Sequence, residues 1–121
     1  MSKSILSSTK KALGIADEDT SFDMDIIMHI NSAFATLTQL AVGPIQGFQI
    51  QDKTTEWVTY LDDDLTLNNV KTYIYFRVRL AFDPPTTSFG LTAIKEQVKE
   101  LEWRINVTAE NFLTTQEEEL I

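Results

Sequence analysis

The chain has 121 residues, enough for one domain with its own core and too few for two independent ones. Its hydrophobic content of 43% is usual for a soluble globular protein, and no run approaches the roughly 20 apolar residues of a membrane helix. The absence of cysteine excludes disulfides, thiol nucleophiles and thiolate metal sites. A formal net charge of −8 opposes general binding to nucleic-acid phosphates and is compatible with a partner that has a basic surface.

The first part of the chain predicts two helices. The start MSKSILSSTKK lacks the apolar core and cleavage site of a signal peptide, so we expect a cytosolic protein. Residues 3–13 predict a short helix that ends at Gly14. A second, amphipathic helix follows the capping spacing Thr20-x-x-Asp23 and is stopped by Gly43-Pro44. Its apolar positions recur at spacings of four and three: Ile26, Ile30, Ala33, Leu37 and Leu40.

The middle of the chain gives weaker signals. Residues 45–53 alternate apolar and glutamine side chains, which predicts a short extended loop or hairpin. A short helix is expected through Trp57, Val58 and Leu61, and the aspartates at 62–64 end it.

The run YIYFRVRLAFDPP, Tyr73 to Pro85, fits two structures. Its apolar residues alternate with Arg77 and Arg79, which is the pattern of a half-buried strand. As a helix, the same run places one arginine within an apolar face and the other outside it. The longer run from Asn68 to Phe82 exceeds the usual strand length and ends at a proline pair, which favours a helix, whereas its β-branched and aromatic residues favour a strand.

The last long element is a predicted helix that begins after Pro84-Pro85, with Thr87 or Ser88 as its cap. Trp103 lies outside its apolar seam, one turn from Val107, so it is either a partner surface or a residue packed under another helix. The seam consists of Leu91, Ile94, Val98, Leu101, Ile105 and Phe112. Residues 113–121 lose this periodicity and predict an extended acidic tail.

No residue pattern indicates catalysis or a cofactor. His29 is the only histidine and has no nucleophile beside it in the sequence, so we expect a structural role. The aspartates at 62–64 match no calcium-binding loop, and the glycines show no phosphate-binding spacing. We therefore expect a protein that is not an enzyme and binds neither metal nor cofactor.

Most of the chain, from about residue 4 to residue 112, resembles the head-tail connector family of tailed bacteriophages, and the likeness is strongest from Lys71 to Asn106. The residues that carry the resemblance are Gly43-Pro44, Phe48, Ile50 and Trp57, then KTYIYFRVRLAFDPPTTSF and KEQVKELEWRIN. The family implies a mostly helical bundle of four to five helices, with residues 1–112 as the connector domain and 113–121 as an extended tail. It also decides the strand-or-helix question for Asn68 to Phe82 in favour of a helix.

The resemblance also implies partners. The subunit would form a homo-oligomeric ring, expected to be a dodecamer, that is assembled in the host cytoplasm and becomes part of the virion neck. The ring would dock on the portal protein, present a surface to a tail completion or stopper protein, and let genomic DNA pass without sequence-specific binding or contact with a membrane. The tail residues expected to grip the portal are Phe112, Leu113, Glu117, Glu118, Glu119, Leu120 and Ile121.

Four further residues are candidates for subunit contacts or structural roles: Arg77, Arg79, Trp103 and Val107. In a helix, Arg77 falls on an apolar face and needs a carboxylate or a neighbouring subunit as its partner. Two other functions stay open from the residues alone. The first is a small cytosolic helical regulator that binds a basic protein, and the second is an enzyme that uses scattered carboxylates.

Overall fold

The protein is a bundle of helices in a computed structural model that describes residues 3–61 and 64–120, with residues 64 and 110–120 described by their backbone alone. The helices are α1 (Ile5–Ala12), α2 (Asp23–Gln39), α3 (Trp57–Tyr60), α4 (Asp64–Phe82) and α5 (Ser88–Leu120). Within those residues, β-structure is limited to one antiparallel bridge between Ser4 and Glu56. The predicted mostly helical class is confirmed, and residues 45–53 form a loop.

Helix α1 lies within the predicted range 3–13, begins at Ile5 and ends before Gly14, as predicted. The hydroxyl of Ser4 accepts a hydrogen bond from the Ser7 backbone N–H at 3.1 Å, which caps the first turn. Gly14 follows the last turn with φ +80°, a left-handed conformation that glycine adopts without steric cost. The helix is tied to the start of α2 by Lys10, which is 2% exposed and pairs with Asp23 at 2.9 Å.

Helix α2 differs from its prediction at both ends. Asp23 is its first residue, and the N-cap position has no side-chain hydrogen bond, so the predicted Thr20–Asp23 capping pair does not form. The carboxylate of Asp23 instead meets Lys10. The helix also ends at Gln39, before Gly43-Pro44, because Ala41 adopts φ 66° and turns the chain away.

Helix α4 is the centre of the bundle and packs against both α2 and α5. The alternating run around Arg77 is helical, so the strand alternative is excluded. The helix begins at Asp64, four residues before the predicted start, and Asn68 therefore lies inside it. Val70, Tyr73, Ile74 and Val78 are completely buried along its inner side.

Helix α5 follows the proline pair, and Thr87 caps it by accepting the Gly90 backbone N–H at 3.0 Å. The middle of the predicted seam faces the core, where Val98, Leu101 and Ile105 are buried. The backbone stays helical through Leu120, so the predicted extended tail from residue 113 is wrong in form. Residues 113–120 contain no glycine or proline and are rich in Glu, Gln and Leu, which favour helix continuation.

An aromatic cluster holds the long connection between α2 and α4 against the core. The ring of Phe34 lies 4.6 Å from Tyr60 and 5.0 Å from Phe48, measured between centroids. The indole of Trp57 donates a hydrogen bond to the Ser8 hydroxyl at 2.8 Å, which links this cluster to α1. Packing of the aromatic rings therefore orders a segment that has almost no regular secondary structure.

Candidate assembly surfaces

A polar cluster joins the three long helices at Arg77. Its guanidinium Nη1 lies 2.7 Å from the Tyr73 hydroxyl, 3.1 Å from the Thr36 hydroxyl and 3.8 Å from the Glu102 carboxylate. The Tyr73 hydroxyl in turn donates to Glu102 at 2.6 Å. The partner that the sequence required for Arg77 is thus a carboxylate of the same chain, and the cluster bridges α2, α4 and α5.

Burial gives this cluster a distinct electrostatic character. Desolvation, reinforced by the hydrogen bond to Glu102, raises the pKa of Tyr73 to about 12. The phenol therefore stays neutral and can donate to the carboxylate while it accepts from Arg77. Arg79 has a separate partner, the Tyr75 hydroxyl at 3.0 Å, so the two arginines do not form one site.

The side of α5 that faces away from the core carries exposed apolar residues. Trp103 is 67% exposed, which excludes the alternative in which it packs under another helix of the same chain. Phe89 is also exposed, and Val107 is half-buried one turn after Trp103. We call the surface around Phe89, Trp103 and Val107 the outer face of α5. A large aromatic in such a position is typical of a contact surface.

A groove of about 560 Å³ lies between α2 and the loop that follows it. Its shape depends on Asn31, whose amide bonds both the backbone N–H of Ile50 at 2.8 Å and its carbonyl at 3.0 Å. This pairing holds the loop beside the helix, and the groove lies between them. We call it the glutamine groove after its principal lining residues, which are Asn31, Ala35, Gln39, Gln46, Phe48 and Gln49.

The side chains of the predicted docking residues lie outside the described part of the structure. Phe112, Leu113, Glu117, Glu118, Glu119 and Leu120 belong to the part of α5 that is described by backbone alone, and Ile121 lies outside the described residues. Among the residues whose side chains are described, none form a cluster of three or more His, Asp or Glu that could hold a metal ion. None of the described helices has the length and apolar character required to cross a membrane.

Sequence reasoning did not find the glutamine groove. Its lining comes from two turns of α2 and from the loop that follows, where the sequence pattern pointed to Phe48 and the alternating glutamines but not to a groove. One signal was available: residues 26–51 contain no Asp, Glu, Lys or Arg, although 23% of the chain is charged.

Comparison with known proteins gives one match. A protein-family model described as a phage connector protein matches residues 5–112. This range includes α1 to α4, most of α5, the glutamine groove and the residues Arg77, Trp103 and Val107. Neither the curated proteins nor the solved structures include a match to the chain.

Proposed function

Since the chain belongs to the phage connector protein family, we propose that it is a ring-forming adaptor between the portal and the tail side of the virion neck. The observation that carries this proposal is the family match over residues 5–112, nearly the whole described chain. In this role the protein is structural: it extends the DNA channel and offers an attachment surface to a tail completion or stopper protein.

The charge of the chain suits a DNA channel. A subunit with a formal charge of −8 repeated around a ring surrounds the passing DNA with negative potential. Like charge discourages adhesion to phosphates, so DNA slides through without sequence-specific contacts.

The end of α5 is the proposed grip on the portal. Glu117 to Glu119 precede the apolar pair Leu120-Ile121, a combination that suits apolar pockets with a basic rim on the partner. A segment this short and acidic gains little from packing on its own subunit, so its contribution is expected in the complex.

The test compares portal binding by the full chain and by a variant lacking residues 113–121. We expect the truncated protein to keep its melting temperature and to lose most of its affinity for the portal. A matched variant with glutamine at positions 117–119 should bind more weakly than the full chain and with less dependence on salt, because it lacks the three charges. If the truncated chain binds the portal as tightly as the full one, the docking role of this segment is refuted.

A further inference from the structure

Copies of this chain face an electrostatic obstacle to association. Each carries a formal charge of −8, so surfaces that bring the acidic side chains of two copies together repel each other. Residues 26–51 are the exception, since they contain no Asp, Glu, Lys or Arg and form most of α2 and the following loop. Depletion of charge is also the feature that distinguishes the centre of a protein interface from the rest of a surface.

This uncharged segment is well exposed on one side. The side chain of Ile45 is 96% exposed in the loop, and Met28 is 59% exposed on α2. Ala35, Gln39 and Gln46 are exposed around the glutamine groove. An uncharged surface that contains an exposed isoleucine and a groove is suited to a protein partner more than to solvent.

We propose that the glutamine groove of one copy receives Trp103 from the outer face of α5 in a second copy. This inference rests on the proposed ring and identifies the two surfaces that form it. A closed ring needs head-to-tail contacts, in which two different surfaces of the same chain meet. The groove lies on α2 and Trp103 on α5, and both helices pack against α4 with these surfaces turned away from the core.

The chemistry of the groove matches an indole. Its volume of about 560 Å³ is larger than that of one tryptophan side chain, and the groove is open to solvent on one side. Phe48 supplies an aromatic wall that is itself held against Phe34 and Tyr60. The amide oxygens of the exposed glutamines can accept the indole N–H, which needs one acceptor when it is buried. Trp103 is then the kind of aromatic anchor that carries most of the energy of an interface.

Two single variants test the two halves of the contact. Ala35→Glu places a negative charge in the groove, and Trp103→Ala removes the anchor. Each is expected to weaken association between copies by about 30-fold or more, measured by sedimentation or light scattering over a concentration series. Helical content and melting temperature should stay close to wild type, since both positions are exposed.

The matched controls carry the same changes elsewhere. Ala81→Glu makes the same alanine-to-glutamate change at an exposed position of α4, outside residues 26–51, and Val58→Ala truncates an exposed apolar side chain on α3. Both controls should assemble like wild type. Equal loss in a variant and its control would show that charge or apolar area in general, and not this contact, limits assembly.

Mixing the two defective variants tests the head-to-tail pairing. The Ala35→Glu chain still offers Trp103, and the Trp103→Ala chain still offers an intact groove. An equimolar mixture is therefore expected to form dimers and nothing larger, while each variant alone stays monomeric. A mixture that stays monomeric overturns the proposed pairing, as does an Ala35→Glu chain that assembles like wild type.

The outcomes separate this inference from the proposed function. If wild type forms rings, alone or on the portal, and Ala35→Glu forms them equally well, the glutamine groove is not the contact between copies, and the connector role stands. The same result is expected if the groove binds a tail-side protein and not a second copy. In that case Ala35→Glu would weaken binding of the tail-side protein. A wild-type chain that stays monomeric both alone and on the portal contradicts the ring and the inference together.

Discussion

The two tryptophans of the chain lie in opposite environments. Trp57 is 4% exposed, donates its indole N–H to Ser8 and holds the connection between α2 and α4 against the core. Trp103 is 67% exposed on a helix whose other side is well buried. The same residue type thus stabilises the subunit in one region and is available for contact in the other. A change that unfolds the protein should be separable from one that only prevents its assembly.

The largest expected effect is at Trp57. Trp57→Ala leaves a cavity beside Phe34 and removes the hydrogen bond from the indole to Ser8. We therefore expect a loss of about 3–5 kcal/mol in the free energy of unfolding, measured by urea denaturation of the monomer. The control is Trp103→Ala, which should change that free energy by less than about 0.5 kcal/mol. Equal losses for the two variants would remove the distinction between the two regions.

The next largest effect is expected at Gly43, which lies against the buried ring of Tyr60. Its φ is +81°, and a Cβ there would lie 2.5 Å from Cε1 of Tyr60. Gly14 has nearly the same φ, +80°, but nothing lies within 4 Å of a Cβ built on it. We expect Gly14→Ala to cost about 1 kcal/mol of stability and Gly43→Ala about 3 kcal/mol, because only the second adds a clash to the backbone strain. Equal costs would show that the Tyr60 ring moves aside freely.

A smaller effect is expected in the polar cluster that joins the helices. Arg77→Ala removes hydrogen bonds to Tyr73 and Thr36, and we expect a loss of about 1–2 kcal/mol in the free energy of unfolding. Arg79→Ala removes one contact to Tyr75 and should cost less than about 1 kcal/mol. A greater loss at Arg79 would contradict the bridging role of Arg77.

The smallest effect concerns alkaline pH. The pKa of Tyr73 is raised by burial to about 12 in the folded chain, against its ordinary value of 10. The contribution of neutral Tyr73 to the free energy of unfolding is complete below pH 10. It is lost as pH rises towards 12, because the phenol ionises at a lower pH in the unfolded chain than in the folded one. By pH 11 the loss is roughly 1 kcal/mol, and Tyr73→Phe should show a correspondingly shallower decline. Burial raises the pKa of Tyr60 as well, but Tyr60 is present in both proteins, so their difference isolates Tyr73.

Local patterns in the sequence predicted the helices well. The seam at Val98, Leu101 and Ile105 and the caps at Thr87 and Gly14 depend on nearest neighbours along the chain, and the structure confirms them. The prediction of an extended tail from residue 113 was wrong, because loss of hydrophobic periodicity does not stop a helix when its residues still favour that conformation.

Features that depend on distant residues could not be predicted. The need of Arg77 for a partner followed from its helical position, but Glu102 lies on another helix and was not named as that partner. Asp23 was predicted to cap its own helix, whereas the buried Lys10 of α1 draws its carboxylate into an ion pair. The glutamine groove exists because Asn31 clamps Ile50 beside α2, a contact with no signal in local periodicity.

We propose above all that this chain assembles as a connector on a phage portal. Electron microscopy of the purified protein mixed with the portal protein of the same phage tests this proposal most directly. We expect a ring of this chain, coaxial with the portal and extending its channel. Portal particles that carry no added ring, even with this chain in large excess over the portal, would contradict the proposal.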